Sequence, residues 1–380
     1  MTLSAIPSID DLALAPGRRV LLRADLNVPL RTGPNGTQIV ADAFRIDAAL
    51  PTIARLRASG AEVVVCSHLG RPKGFDPRLT MEPIRAIIET HFPEVEVLEN
   101  LRFDPREEAN DPVFAAELAA GFDAFVNDAF GVSHRRHASI VGVPPLLPSA
   151  GGITLLEEVK HLTRLLEMPA RPYVAVLGGA KVSDKLGLLN ALVQQVDTLL
   201  VGGGMCFTFL AAEGIEVGDS LVEEQMIDQC QHLLATGKVV LPVDVMGLAS
   251  NDSFGPDGGN GVAQRFGLGV PPGYRGLDIG AATIERFSEF LVGARSILWN
   301  GPMGVFEDPR FRLGTDGVAA AIGRSDAYSV VGGGDSVAAL HQAGLAENVS
   351  HLSTGGGATL EYLEHGDLVG LAALRHSREP

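Results

Sequence analysis

With 380 residues, 46% of them hydrophobic and 20% charged, the chain has the makeup of a soluble globular protein and exceeds what one core usually serves, so two domains are expected. A formal charge of −16 argues against a general nucleic-acid binder, which needs a basic face. No apolar run is long enough for a membrane span, the acidic start with Asp10 and Asp11 is unlike a secretion signal, and an odd count of three cysteines (Cys66, Cys206, Cys230) with no C-x-x-C pair fits a reduced, cytoplasmic protein.

In chain order, the first half reads as repeated strand–turn–helix. Short, unalternating apolar runs at 20–22, 63–66, 95–98 and 124–126 suit parallel strands covered on both faces. Helices are expected at 44–59, 80–92 and 113–120. Thr80 is a plausible N-cap with Pro83 in the first turn, and Pro51 should sit early in its helix or kink it. From 151 to 168, Leu155, Leu156, Val159, Leu162, Leu165 and Leu166 recur at helical spacing, with Pro169 and Pro172 beyond. This segment reads as an inter-domain helix, with the boundary at 168. Strands follow at 174–177, 198–201, 239–243, 297–299, 329–331 and 349–353. The Gly-, Pro- and Asp-rich stretch 251–276 reads as a long surface loop. The alternation points to α/β architecture: two doubly wound, Rossmann-like parallel-sheet domains with a cleft between them.

The turns after these strands divide by chemistry. The first half supplies Asp25 and Asn27, the run from His68 through Leu69 and Gly70 to Arg71, then Arg102 and Arg135, with Arg23 and Arg45 close by. One such arginine is usually a surface ion pair. Five, joined by His68 in an acidic chain, suggest a small, multiply charged acid held by planar guanidinium forks. His134 and His137 flank Arg135 and Arg136 without an evident third ligand, so a structural role is expected of them.

The second half supplies glycine instead: Gly178-Gly179, Gly202-Gly203-Gly204, Gly301, Gly332-Gly333-Gly334 and Gly355-Gly356-Gly357. Glycine permits positive φ and close backbone approach, so successive N–H groups and a helix N-terminus can face a phosphate chain. Lys181 and Lys185 follow the first of these turns. A lysine pair four apart is ordinarily a solvated, mutually repelling helix face, and a polyphosphate would relieve the repulsion. Asp335 is either an N-cap or a magnesium ligand beside phosphates, and the two roles are compatible. There is no P-loop, and no glycine turn completes G-x-G-x-x-G, which weakens a dehydrogenase reading.

The segments Arg23-Ala-Asp-Leu-Asn-Val-Pro29, Ser67-His-Leu-Gly-Arg-Pro72, Leu98-Glu-Asn-Leu-Arg-Phe103 and Val126-Asn-Asp-Ala-Phe-Gly131 resemble signatures of the phosphoglycerate kinases. So do Leu177-Gly-Gly-Ala-Lys-Val-Ser-Asp-Lys185, Leu298 through Glu307, Gly332 through Asp335, and Ser353 through Ala358, all in family order. The resemblance implies a glycolytic kinase, EC 2.7.2.3, that moves a phosphoryl group reversibly between 1,3-bisphosphoglycerate and ADP. It implies phosphoglycerate binding by Asp25, Asn27, Arg45, His68, Leu69, Gly70, Arg71, Arg102 and Arg135. For the nucleotide it implies Lys185, Gly203, Gly204, Asn300, Pro302, Val305, Glu307, Gly333, Gly334, Asp335 and Ser336, with Asp335 on Mg²⁺. Arg45, Lys181, Lys185 and the helix start at Gly355, Gly356 and Gly357 would stabilise the transferring phosphoryl.

It further implies a phosphoglycerate domain over 1–168, a nucleotide domain over 169–364, and a segment 365–380 that packs back on the first domain. A cytoplasmic monomer without nucleic-acid or membrane partners, closing about a hinge, completes the expectation. Two departures from the family pattern, Ser336 for threonine and Met303 for valine, remove no charge.

Overall fold

The computed structural model describes residues 6–377. Residues 1–5 and 378–380, the ends of the segments expected in the first domain, lie outside the described residues. The chain divides into two compact units, Met1–Lys160 with Asp367–Pro380, and His161–Gly366.

The first unit is built on β1 (Arg19–Ala24), which passes through a short hairpin of β2 (Leu30–Thr32) and β3 (Gln38–Val40) to α1 (Phe44–Ala58). There follow β4 (Glu62–Cys66), α2 (Glu82–His91), β5 (Glu96–Val97), α3 (Pro112–Ala119), β6 (Ala124–Asp128) and β7 (Ser149–Gly151). The five-stranded sheet runs β5-β4-β1-β6-β7, every pair parallel. Both faces are covered, so β6 is buried along its whole length, and its apolar start, Ala124-Phe125-Val126, shows no polar alternation. Ile46, Ile53 and Leu56 of α1 pack into that core, each contributing about 1.5–3 kcal/mol by burial. The strand order reverses between β1 and β6, where ligands of such sheets bind.

A long helix, α4 (Ile153–Glu167), comes next. The division between units falls inside it, at Lys160/His161, not at the expected 168. Its first turn is anchored to the first unit, where Leu155 N–H donates to Asp128 Oδ1 (2.9 Å) and Thr154 Oγ1 to the Ala48 carbonyl (2.6 Å). Its second half belongs to the second unit, through His161 Nδ1 with Tyr328 Oη (2.5 Å) and Thr163 Oγ1 with Tyr362 Oη (2.7 Å).

The second unit contains β8 (Tyr173–Leu177), α5 (Leu186–Gln195), β9 (Thr198–Val201), α6 (Cys206–Ala212), α7 (Ile227–Leu234) and β10 (Val239–Val240). An antiparallel insertion of β11 (Val245–Ala249), β12 (Gln264–Phe266) and β13 (Tyr274–Ile279) precedes α8 (Ala281–Gly293), β14 (Ser296–Asn300) and α9 (Leu313–Gly323). The unit ends with β15 (Tyr328–Gly332), α10 (Gly334–Gln342), β16 (His351–Leu352) and α11 (Gly357–His365). Its six-stranded sheet has the order β10-β9-β8-β14-β15-β16, again parallel throughout, with the reversal between β8 and β14. Returning to the first unit, α12 (Val369–Arg375) docks through Gly370 N–H on the Ser133 carbonyl (2.8 Å).

Several expectations need correction. The stretch 251–276 is not simply a loop: it carries β12 and the start of β13. Its glycines mask these strands in composition, yet one glycine just outside it, Gly247, is required, since a Cβ there would lie 2.5 Å from the Arg275 carbonyl oxygen. The strand expected over 239–243 stops at Val240, because Pro242 lacks the N–H a ladder needs. Thr80 closes a preceding 3₁₀ turn, and Met81 takes the N-cap position of α2. Of the two placements expected for Pro51, the early one is not seen: it sits mid-helix in α1. The hairpin β2–β3 went unread although Asn35-Gly36, with Gly36 at φ +77°, is a recognised turn signal.

Candidate active site

In the first unit, the turns after β1 and β4 are tied to each other. Asn27 Oδ1 accepts from Gly70 N–H (2.8 Å), and Ser67 Oγ accepts from Leu26 N–H (3.0 Å). Asn100 staples a third turn to them: Oδ1 takes the N–H groups of Leu69 (3.2 Å) and Arg102 (3.1 Å), and Nδ2 donates to the Leu69 carbonyl (2.8 Å). Gly70 stands at φ +63°, and a Cβ there would meet Leu79 Cδ2 at 2.9 Å. Leu69 and Gly70, both expected at the substrate, have their backbone amides satisfied within the loops, on Asn100 and Asn27.

The cations gather over this frame. Arg45, in the first turn of α1, donates from Nη1 to Asp25 Oδ2 at 2.5 Å. Arg102, only 5% exposed, donates to the Gly70 carbonyl at 2.7 Å, and its Nε lies 3.1 Å from Glu108 Oε1 without hydrogen-bond alignment. Arg71 is exposed and Arg135 half-buried. His68 is buried beside Arg23, with Nη2 3.1 Å from Nδ1. Burial, then the guanidiniums of Arg23, Arg102, Arg135 and Arg45, hold its pKa well below the usual histidine value, so the ring is neutral at pH 7. One neutral imidazole feeling four guanidiniums marks a single anion-receptive cluster. His137 is pushed down to about 4 by burial and by Arg102, Arg135 and Arg23, and among the described residues no three His, Cys, Asp or Glu side chains are placed to hold a metal.

In the second unit, the turns after β8 and β14 interlock at the reversal point. Gly179 N–H donates to the Pro302 carbonyl, Gly203 N–H to that of Met303, and Met205 N–H to that of Gly179, each at 3.0 Å. Lys185 closes the knot, with Nζ donating to the Gly178 carbonyl (2.7 Å), the Asn300 carbonyl (3.1 Å) and Asn300 Oδ1 (2.6 Å). Burial lowers its pKa to about 8, while Asp335 and Asp184 oppose the shift. The two lysines do not share a helix face: α5 begins only at Leu186, after a 3₁₀ turn, leaving Lys181 exposed and Lys185 folded inward. Ser336 is fully buried and accepts from Gly301 N–H (2.8 Å), so its hydroxyl supports the loop.

The glycines sort into two kinds. A Cβ at Gly203 would lie 2.5 Å from Gly179 N and 2.8 Å from the Pro302 carbonyl oxygen, one at Gly301 2.5 Å from the Gly178 carbonyl oxygen, and one at Gly204 3.0 Å from that of Ala180. These glycines let loops touch. Gly334 and Gly356 have nothing within 4 Å, and they open α10 and flank the start of α11. There, free helix N-termini are accessible to an anion. Gly333 (φ +93°) and Gly356 (φ +51°) occupy the N-cap positions. Gly355 is buried, its N–H donating to Ser353 Oγ (3.2 Å), and Gly357 is exposed.

Asp335 is therefore not an N-cap; it is an exposed residue within the first turn of α10. Partial desolvation of its carboxylate, then the neighbouring Glu307, raise its pKa, against Lys185. A carboxylate crowded by a second carboxylate at a helix start fits a magnesium that takes few protein ligands beside phosphate oxygens. Glu307 is exposed, while Pro302 and Val305 are half-buried. Asn100 and Ser67 hold the first cluster together without having been assigned to it from sequence, and Arg23, one of the five arginines expected to face the acid, is turned inward to hold it too. Arginine at a strand end was the available signal for Arg23, and local sequence carries none for the staple made by Asn100.

A fold of two doubly wound units, one offering cations and the other backbone amides at their switch points, defines a phosphotransferase class. The family model for phosphoglycerate kinase matches residues 9–97 and 88–366. The chain is 51% identical to the phosphoglycerate kinase of Salinispora tropica, covering 97% of this chain and 99% of that one. With the enzyme of Thermus thermophilus it shares 47% identity over 94% of this chain and 97% of that one. The solved phosphoglycerate kinase of Coxiella burnetii superposes with a TM-score of 0.87 at 35% identity, covering 98% and 100% of the two chains. That of Pyrococcus horikoshii gives 0.84 at 31%, covering 97% and 98%. The chain belongs to the phosphoglycerate kinase family. Its reaction is the reversible glycolytic transfer of a phosphoryl group between 1,3-bisphosphoglycerate and ADP.

Proposed function

We propose that transfer is direct and in line, with the acid on the Arg45–His68–Arg102–Arg135 cluster and the nucleotide on the loops around Lys185 and Asp335. The carrying observation is the division of labour at the two switch points: guanidiniums in one unit, open helix starts at Gly334 and Gly356 in the other. Phosphoryl transfer needs alignment and charge neutralisation more than covalent chemistry. The acceptor is a carboxylate, already ionised at neutral pH, so no general base is required. The neutral, arginine-bound His68 agrees with that requirement.

In this reading Asp25 and Asn27 receive hydroxyl groups of the acid, and Arg71, Arg102 and Arg135 take its phosphate and carboxylate. Arg45 leaves Asp25 to reach the equatorial oxygens of the moving phosphoryl. Lys181, Lys185 and the amides from Gly355 to Gly357 share that charge. Gly203, Gly204, Pro302 and Val305 bound the adenosine side, with Glu307, Gly333, Gly334 and Ser336 along the rest of the nucleotide. Magnesium would be held by Asp335 and the phosphates, and when bound supplies charge neutralisation.

Exclusion of water during transfer calls for closure of the units about α4. Small-angle scattering with both ligands should then give a smaller radius of gyration than without. No helix among the described residues is long and apolar enough to cross a membrane, and a cytoplasmic monomer completes the reading, with sedimentation velocity as its check. The deciding experiment is a coupled assay with 3-phosphoglycerate, ATP and Mg²⁺. Turnover that needs all three supports the assignment, and absence of turnover in folded protein refutes it.

A further inference from the structure

His68 is held by an arginine, and that arginine by a buried carboxylate. Arg23 is 1% exposed, and each of its three nitrogens donates internally: Nε to Ser139 Oγ (3.0 Å), Nη1 to the Ala24 carbonyl (2.5 Å) and Nη2 to His68 Nδ1 (3.1 Å). Ser139 Oγ in turn donates to Glu107 Oε1 (2.5 Å), and its N–H donates to Glu107 Oε2 (2.9 Å). Glu107 is 0% exposed, and His137 Nδ1 stands 3.9 Å from its Oε1.

The direction of this chain is fixed at both ends. A carboxylate only accepts and a guanidinium only donates. The single Ser139 hydroxyl proton goes to Glu107, which leaves the serine oxygen to accept from Arg23. The imidazole nitrogen facing Arg23 must then carry a lone pair, so its proton sits on Nε2. We propose that Glu107 is a positioning residue which, through Ser139 and Arg23, fixes His68 as the neutral Nε2–H tautomer and makes it a directed hydrogen-bond donor to the acid substrate.

The charged groups around the imidazole are Arg23 from β1, Arg45 from α1, Arg102 from the turn after β5 and Arg135 from the loop after β6. Asp25 is paired with Arg45, and Glu107 acts from behind Ser139. Four cations and burial disfavour a fifth charge on the ring. Nε2 makes no hydrogen bond among the described residues, so it is available to a ligand oxygen. The role assigned to the substrate contact rests on the phosphoglycerate reading of this cluster; the tautomer does not.

Histidine-selective ¹⁵N NMR of the full chain tests the proposal, free and with 3-phosphoglycerate. His68 should show a pyridine-like Nδ1 and a pyrrole-like Nε2, unchanged between about pH 6 and 8, and added 3-phosphoglycerate should shift the Nε2 proton without altering the tautomer. In Ser139→Ala the second tautomer should appear, and KM for 3-phosphoglycerate should rise about tenfold, the scale of one charge-assisted hydrogen bond, with KM for ATP unchanged. Ser139→Thr, which keeps the hydroxyl, should restore both.

An Nδ1–H or protonated His68 in the wild-type chain overturns the proposal, with no variant needed. So does a folded Ser139→Ala with unaltered tautomer and KM. A wild-type Nε2–H signal that 3-phosphoglycerate leaves unmoved in an enzyme that turns over removes the donor role. Absence of turnover with the tautomer intact strikes the substrate assignment and leaves the relay supported.

Discussion

Arg45 and Asp25 meet at 2.5 Å where β1 and α1 approach each other. The arginine assigned to the moving phosphoryl is thus held by a carboxylate that would itself receive a substrate hydroxyl. Binding of the acid to Asp25 would loosen the pair as it brings the guanidinium's proper target near. Arg45→Ala should lower kcat by about 10³ or more, the scale of an arginine at a phosphoryl transition state, while KM for 3-phosphoglycerate changes far less. Steady-state kinetics in both directions measure this, and near-normal turnover would remove Arg45 from the transition state.

Lys185 is cationic at pH 7 but poised, with burial lowering its pKa to about 8. A polyphosphate beside it would raise that value. ADP binding near pH 8 should therefore take up protons, and affinity should fall as pH climbs above 8. Calorimetry in two buffers of different ionisation enthalpy reads the uptake directly; equal observed heats in the two buffers would place the nucleotide away from Lys185. The ligand-free protein should also gain stability between about pH 8 and 10.5, because there the unfolded chain binds more protons than the folded one.

Gly203 and Gly334 look alike in sequence and should behave oppositely. Gly203→Ala forces a Cβ against Gly179 N (2.5 Å) and the Pro302 carbonyl oxygen (2.8 Å) at φ +65°, and should destabilise by several kcal/mol, on the order of 2–4, through strain and overpacking. Gly334→Ala meets nothing within 4 Å and should leave the melting temperature unchanged or slightly raised, yet weaken nucleotide binding. Differential scanning fluorimetry with and without ADP separates the two. An unaltered ADP affinity in the second variant would show that the start of α10 is not a phosphate site.

Asp128 joins β6 to α4. Its Oδ1 accepts from Leu155 N–H (2.9 Å), while Oδ2 lacks a partner. Burial raises its pKa to about 6, against the nearby polar groups of Thr52, Leu155 and Thr154. Because the folded state holds the proton more tightly, this group's contribution to stability is lost as pH rises from about 4 to about 6. Asp128→Asn keeps the acceptor and removes the charge, so it should flatten that slope and stabilise the protein at pH 7 by on the order of 1–2 kcal/mol. Urea unfolding across this range is the measurement, and an unchanged slope would contradict it.

Reading the chain alone recovered the strand–turn–helix alternation and located almost every charged group later found at the switch points. Those signals are local: an apolar run covered on both faces, a glycine needing positive φ, an arginine after a strand. It lost β12 and the hairpin β2–β3 where glycine and proline dominate composition, and it left open whether Lys181 and Lys185 share a helix face, because spacing cannot reveal where a helix begins.

What the sequence determined by itself was the inventory and its order: guanidiniums at the turns of one half, glycines at those of the other, each fixed by covalent chemistry and short-range sterics. What only the tertiary structure decided was which of them are spent on the fold. Strand order sets β8 beside β14, and so brings Lys185 onto Asn300 and the Gly203 backbone onto Pro302, across more than a hundred residues of intervening chain in the first case. A residue's neighbours at that separation depend on how the sheet is wound, and no local pattern encodes that.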